Sequence, residues 1–143
     1  MSNAPATLAQ PARMTQAGLR DRLLALGYRE LDDAGQLDAL ARDNPFLIAL
    51  PLDNPERFPE LADIAVILPE VLRGFAPGSF QVAFGGAAAS PALCRQFSVY
   101  RHPALLFFRG GAHIGTLEGL RDWGEYLREF AAMLGGAQAG AAA

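Results

Sequence analysis

The segment FSVYRHPALLFFRGGAHIGTLEG, residues 97–119, constrains the fold most, because it joins a proline, a short apolar run and a glycine turn. Residues 105–108 have the length and the apolar character of a buried strand. Residues 109–111, Arg-Gly-Gly, favour a tight hairpin turn into a second strand. Pro103 removes no hydrogen bond at a strand's first position and holds His102 extended. These residues leave both isomers of the His102-Pro103 bond open, and base rates favour trans.

The rest of the chain alternates between helical and extended patterns. Apolar residues at helical spacing predict four helices before residue 97 and a last one over 120–134. The predicted strands before the hairpin are 28–31, 46–50 and 80–84. Alternation followed by a hairpin predicts an α/β fold with a central mixed sheet of four to five strands, flanked by helices, with an extra N-terminal helix.

Several residues have predicted local roles in these helices. Thr15 is expected to cap the first helix, Asp32 or Asp33 the second, and Ser90 the short helix that starts at Ser90-Pro91. Pro69 lies within the apolar pattern of residues 61–75 and predicts a kink there. Trp123 is expected to pack against the core.

Length and composition bound the remaining possibilities. The 143 residues suit one domain, predicted to span 15–135 between a flexible leader, 1–14, and a flexible tail, 136–143. No secretory signal or apolar span of membrane length is visible, so we expect a cytoplasmic protein without membrane insertion. The single cysteine excludes an intramolecular disulfide, a CxxC redox centre and a cysteine zinc site, and we predict no metal or cofactor.

Charge is distributed unevenly along the chain. Residues 30–70 carry ten acidic and two basic side chains, a net charge of −8, although the whole chain carries only −3. Nucleic acid is therefore excluded as an expected partner, because phosphate binding needs a basic surface. The acidic stretch indicates either a basic peptide or protein partner, or a solvated face that keeps the protein soluble.

The order of elements resembles the thioredoxin fold. Residues 94–134 look like its second half, with His102-Pro103 where that family has its cis-proline, so the resemblance implies a cis bond here. The helix with Pro69 looks like the one that follows the thioredoxin redox motif. Counting back from Pro69 places Leu61 and Ile64 at the two cysteine positions of CxxC, so the resemblance implies a protein without thioredoxin redox chemistry and with no catalytic residues.

A more specific resemblance covers roughly residues 19–134. The leading helix, PELADIAVILPEVLRGF and FSVYRHPALLFFRGG together resemble the HyaE/HupG family of hydrogenase-expression proteins, which are thioredoxin-like and lack CxxC. The resemblance implies a non-enzymatic accessory protein or chaperone in [NiFe] hydrogenase maturation. Its partner would be the hydrogenase small-subunit precursor with its twin-arginine signal peptide, bound before export, and possibly other hydrogenase maturation proteins.

The resemblance also implies a partner-binding groove. Thioredoxin-like proteins bind extended peptide beside the cis-proline, and the corresponding residues here are Glu60, Leu61, Asp63, Ile64, Arg101, His102 and Pro103. Glu60 and Asp63 are expected to pair with a partner's arginines, or else simply to favour a helix N-terminus. Leu61 and Ile64 form either an apolar patch in the groove or part of the core. His102 either titrates near neutrality and modulates binding or is a partly exposed residue held by the proline.

Two other functions stay open from the residues alone. Cys94 could serve a single-cysteine thiol enzyme if a histidine lay within hydrogen-bond reach, although a helical Cys94 is expected to point inward as a small hydrophobe. The acidic face could instead be a scaffold for other maturation proteins.

Overall fold

The computed structural model describes residues 14–142, with side chains described for 14–135. The strands are β1 (Arg29–Leu31), β2 (Phe46–Leu50), β3 (Gln81–Gly85), β4 (Ala104–Arg109) and β5 (Ala112–Glu118). The helices are α1 (Gln16–Ala25), α2 (Gly35–Asp43), α3 (Glu60–Leu72), α4 (Ser90–Gln96) and α5 (Trp123–Ala142). Residues 1–13 of the predicted leader and Ala143 lie outside the described residues, so the predicted domain boundaries stay predictions.

The five strands form one mixed sheet in the order β1-β3-β2-β4-β5. The first three strands are parallel, β4 runs antiparallel to β2, and β5 runs antiparallel to β4. Ala49 on the central strand β2 is paired with Ala83 on one side and with Leu106 on the other. This topology confirms the predicted mixed sheet of four to five strands, the flanking helices and the extra N-terminal helix.

Alternate residues of the strands face two separate apolar layers. One layer joins Ile48 and Phe107 to α1, α3 and α5, and the other joins Leu47 and Leu106 to α2 and α4. β2 is buried on both faces, as its continuous apolar sequence predicts. The helices therefore cover both faces of the sheet.

Some of the local predictions hold in detail. The Thr15 hydroxyl oxygen accepts a hydrogen bond of 3.0 Å from the N–H of Gly18, which confirms Thr15 as the cap of α1. The predicted cap of α2 by Asp32 or Asp33 is not met at the N-cap position, which is Ala34 and has no side-chain cap bond. Just before it, Asp33 accepts from the N–H of Gln36 and the Gln36 side chain accepts from the N–H of Asp32. Pro69 lies inside α3.

The predicted role of Ser90 as a helix cap is wrong. Ser90 is the first residue of α4, and no side chain caps that helix. The Ser90 hydroxyl is buried; it donates to the carbonyl of Gly85 and accepts from the N–H of Leu52, each over 2.9 Å. The close approach depends on Gly85, where a Cβ would lie only 2.5 Å from Ser90 Oγ. Ser90 therefore ties the end of β3 to the loop that follows β2.

The predicted packing of Trp123 against the core is also wrong. Its side chain is 46% exposed at the first residue of α5. Tyr126 and Phe130, one and two turns further along, fill the core instead. Trp123 lies three residues before Tyr126 and seven before Phe130, so it shares their helical face, and its exposure reflects its position at the very start of the helix. Within the part of the chain that the structure describes, no helix has the length and apolar character needed to cross a membrane.

Candidate functional site

The segment before β4 is bound to the end of β5. The His102-Pro103 peptide bond is cis, as the resemblance implies and against the base rate. The N–H groups of Tyr100 and Arg101 both donate to one carboxylate oxygen of Glu118, each over 2.8 Å. A partner chain therefore cannot use these two N–H groups without displacing Glu118.

The loop between β2 and α3, residues 51–59, packs on His102. The Phe58 ring meets the imidazole edge to face with centroids 5.1 Å apart, and the His102 side chain is only 7% exposed. Asp53 Oδ2 is 3.9 Å from His102 Nε2, too far for a hydrogen bond. The buried Nδ1 has no hydrogen-bond partner among the described residues. The His102 side chain is thus largely enclosed, although the residue as a whole is partly exposed and borders the surface.

The protonation state of His102 follows from this burial. Desolvation lowers the pKa of His102, and this outweighs the opposing effects of Asp53, Glu118 and the carbonyl of Pro51. Because the ordinary histidine pKa is already near 6.5, the ring is neutral at pH 7. A neutral imidazole does not offset the negative charge of the neighbouring Asp53 carboxylate.

A surface cavity of about 330 Å³ opens beside this imidazole, and we call it the His102 pocket. Tyr100, at its rim, is 83% exposed, the largest value among the exposed large apolar side chains of the described chain. The Arg57 guanidinium carbon lies 5.1 Å from the centroid of the Phe58 ring, within cation–π range. The pocket is lined by Leu52, Asp53, Arg57, Phe58, Pro91, Cys94, Val99, Tyr100 and His102.

Eight of the nine lining residues are absent from the predicted site, which shares only His102 with the pocket. The charged and aromatic ones among the eight are Asp53, Arg57, Phe58 and Tyr100. Tyr100, next to Arg101 and His102, is the aromatic side chain that the sequence places in a polar setting, whereas Phe58 packs partly against the core. Phe58 and Tyr100 line the same pocket although more than forty residues separate them in the sequence, and local sequence patterns do not reveal such proximity. The loop 51–59 therefore belongs to the site, and the sequence alone suggested only a connection.

A second cavity of about 320 Å³ adjoins the His102 pocket, with Leu52, Asp53 and Pro91 lining both. On its other side Arg20 binds Glu30 through both carboxylate oxygens at 2.8–3.0 Å. This hydrogen-bonded pair raises the pKa of Arg20 and lowers the pKa of Glu30. The charge of Glu30 is therefore already balanced by Arg20. Asp53, by contrast, lies between two cavities without an arginine partner among the described residues.

The residues predicted to form the groove divide into exposed and buried sets. Glu60 and Asp63 are exposed in the first turn of α3, and neither makes an ion pair within residues 14–135. Arg101 is also exposed, with its guanidinium beside Gly119, whereas Pro103 is buried.

Leu61 and Ile64 are 0% and 1% exposed in the core, so the alternative of an apolar surface patch is wrong. Their spacing with Ala65 and Leu68 places them on the face of α3 that packs on the sheet. A partner therefore cannot touch these two side chains.

Cys94 is half-buried in the His102 pocket rather than fully inward. Burial raises the pKa of the Cys94 thiol, with smaller effects in the same direction from Asp53 and Glu118. A thiol–imidazole pair needs a hydrogen bond, and none joins Cys94 to His102 among the described side chains. In the same set of residues, no three His, Cys, Asp or Glu side chains are grouped closely enough to hold a metal ion.

The sheet order, the cis-proline before β4 and the helix with Pro69 define a protein of thioredoxin fold, and solved thioredoxins superpose on it. A mutant thioredoxin from Halobacterium salinarum matches with a TM-score of 0.57 at 17% identity, covering 73% of this chain and 88% of its own. A thioredoxin from Plasmodium falciparum matches with a TM-score of 0.55 at 13% identity, covering 72% and 99%. The one cysteine of this sequence, Cys94, lies on α4, so the sequence contains no CxxC pair.

Within that class, the chain belongs to the family described as hydrogenase-1 expression protein HyaE, whose sequence profile matches residues 19–126. The hydrogenase expression/formation protein HoxO of Azotobacter vinelandii is 41% identical over 112 residues, which are 78% of this chain and 73% of that protein. The protein HupG of the same description from Bradyrhizobium diazoefficiens is 32% identical over 115 residues, 78% and 76% of the two chains. The resemblance drawn from the sequence is confirmed.

Proposed function

We propose that this hydrogenase expression protein is a redox-inactive chaperone, not an enzyme, that binds the [NiFe] hydrogenase small-subunit precursor in the cytoplasm before export. The bound region includes the twin-arginine signal peptide. The observation that carries the proposal is a pair of exposed carboxylates, Glu60 and Asp63, on the helix that follows the loop over His102. Neither has an ion-pair partner in the described chain.

The distribution of ion pairs supports a basic partner. In the acidic stretch 30–70, Glu30, Asp38 and Glu70 are paired with arginines. Within the described residues, acidic side chains without such a partner remain at the two ends of α2, in the loop before α3 and in the first turn of α3. Such a surface attracts a positively charged segment and speeds its association.

The proposed contact surface consists of Glu60 and Asp63 on α3 and of Arg101 and His102 before β4, above the buried Pro103. Leu61 and Ile64 support it from the core and make no direct contact. The N–H groups of Tyr100 and Arg101 are occupied by Glu118, so side-chain contacts rather than strand pairing at these two residues provide the affinity.

The state of the thiol supports a role without covalent chemistry. The raised pKa of Cys94 keeps its thiol protonated at neutral pH, and thiols react through the thiolate. A neutral His102 gives no stabilising charge to a thiolate in the same pocket. These conditions favour binding over catalysis.

The test is the double variant Glu60→Lys plus Asp63→Lys, assayed for binding of the purified precursor. We expect the dissociation constant to rise by about tenfold or more, because two attractive charges become repulsive. The matched control is Asp32→Lys plus Asp43→Lys at the two ends of α2, because these side chains are also exposed and without an ion pair in the described chain, and α2 packs on the opposite face of the sheet. The melting temperature of each double variant should stay within about 2 °C of the wild type, since all four side chains are exposed.

Equal weakening by both double variants would show that net charge alone governs binding. Unchanged binding by the first would place the contact surface elsewhere. The acidic surface also supports a second candidate, a scaffold that docks other hydrogenase maturation proteins. A pull-down from cells that express the hydrogenase operon separates the two candidates, because a scaffold recovers maturation proteins when the precursor gene is deleted.

A further inference from the structure

We propose that the His102 pocket binds the guanidinium group of an arginine side chain from an extended basic partner, with Asp53 as its counter-ion and Tyr100 and Phe58 as its aromatic walls. This inference rests on the proposed function and assigns one of the partner's arginines to a specific cavity. It differs from the contact of Glu60 and Asp63, which lie outside the pocket.

Asp53 is arranged to accept hydrogen bonds from a ligand. Its Oδ1 accepts from the N–H of Asn54 over 2.6 Å, which fixes the carboxylate. Its Oδ2 has no hydrogen-bond partner among the described residues and lies 3.9 Å from His102 Nε2. The side chain is 44% exposed at the junction of two cavities, so an incoming group can reach it. The bond from Leu52 N–H to Ser90 Oγ holds the loop on which Asp53 sits.

The aromatic walls suit a planar cation. A guanidinium stacks on aromatic faces more readily than an ammonium does, and it is more weakly hydrated. Phe58 already holds the guanidinium of Arg57 at 5.1 Å, which shows that this ring accepts a cation. Tyr100, exposed and at the rim, can close over a second one.

His102 contributes the floor of the pocket. Its imidazole is enclosed beneath Phe58, with Nδ1 buried and without a hydrogen-bond partner in the described chain. A neutral ring does not repel a cation and does not cancel the charge of Asp53. Among the described residues, Arg57 is the arginine that lines the pocket, so it competes with an incoming arginine for the Phe58 ring and lies near enough to weaken the attraction of Asp53.

The test uses a fluorescein-labelled synthetic peptide with the paired arginines of the precursor's signal, and a second peptide with both replaced by lysine. Fluorescence anisotropy with the full chain gives the two dissociation constants. We expect Asp53→Asn to weaken binding of the arginine peptide about five- to tenfold, because it removes a charged hydrogen bond at a half-exposed site. Tyr100→Ala should weaken binding of this peptide about two- to fivefold, and Tyr100→Phe should leave its affinity unchanged. Arg57→Gln should strengthen its binding.

The control Asp43→Asn removes the same charge from the end of α2, at the opposite end of β2 from Asp53. Equal weakening by Asp53→Asn and Asp43→Asn, equal binding of the two peptides, or no binding of the arginine peptide would each overturn the inference. Tyr100 is so exposed that its variants test the pocket even if Asp53→Asn unfolds.

Binding of the whole precursor separates this inference from the proposed function. If the wild type binds the precursor and the Asp53 and Tyr100 variants bind it equally well, the proposed arginine site in the His102 pocket is refuted and the proposed function stands. If the arginine peptide shows the expected dependence and the precursor does not bind, the pocket stands and the proposed function fails.

Discussion

Replacing Ser90 with alanine tests the link between β3 and the loop that carries Asp53. The substitution removes two hydrogen bonds of 2.9 Å, to the carbonyl of Gly85 and from the N–H of Leu52. Each bond contributes about 1 kcal/mol net, and a buried carbonyl or N–H left without a partner costs about 1–3 kcal/mol. The N–H of Leu52 borders an open cavity where water can reach it, which reduces the second cost. We expect Ser90→Ala to lower the free energy of unfolding by about 2–3 kcal/mol.

Urea denaturation followed by circular dichroism and by the fluorescence of Trp123, the one tryptophan of the sequence, measures this change. The midpoint should fall without a change in slope. Ser79→Ala is the matched control, because its hydroxyl bonds only the carbonyl of Ala76 in an exposed turn. That variant should lose less than about 0.5 kcal/mol.

The variant Ser90→Asp distinguishes two roles of Ser90: a hydrogen-bonded bridge between the end of β3 and the loop after β2, and a helix cap. Aspartate caps helices as well as serine does, so a capping role predicts near wild-type stability. The bridge predicts a larger loss than Ser90→Ala, because a carboxylate would be buried beside the Gly85 carbonyl. A loss below about 1 kcal/mol for Ser90→Ala, or wild-type stability for Ser90→Asp, would refute the bridge.

Three further predictions concern single residues. The pKa of His102 is lowered in the folded state, so the unfolded chain binds its proton more readily, and stability should fall as pH drops from 7.5 to 5. His102→Gln should remove that part of the slope in urea titrations; parallel curves would contradict it. Cys94, with its raised pKa, should react with iodoacetamide at pH 7.5 more slowly than a free cysteine peptide, and a faster reaction would favour a thiol enzyme. Ser98 has a φ of +55°, so Ser98→Val should cost about 1–2 kcal/mol by urea denaturation whereas Ser98→Gly should not.

Local sequence patterns predict the fold well because its elements carry strong signals. The continuous apolar run of β2 and the glycine turn between β4 and β5 each specify their structure within a few residues. Thr15 likewise specifies the start of α1 by its own side chain. In each case neighbours in the sequence determine the outcome.

The site depends on contacts between distant residues, and local patterns do not specify these. Phe58 packs on His102, forty-four positions later, and Ser90 bonds Leu52, thirty-eight positions earlier. Whether Ser90 caps a helix or bridges two segments depends on how closely Gly85 approaches it. The burial of Leu61 and Ile64 is different, because their spacing with Ala65 and Leu68 already indicates a core face.

That burial bears on whether thiol chemistry could be engineered into this chain. Cysteines introduced at positions 61 and 64 would lie beneath the surface of α3, where the present side chains are almost wholly shielded from solvent. A substrate disulfide could not approach them, and the apolar surroundings would raise their pKa. Two substitutions would therefore be insufficient, because the first turn of α3 would also have to leave the core.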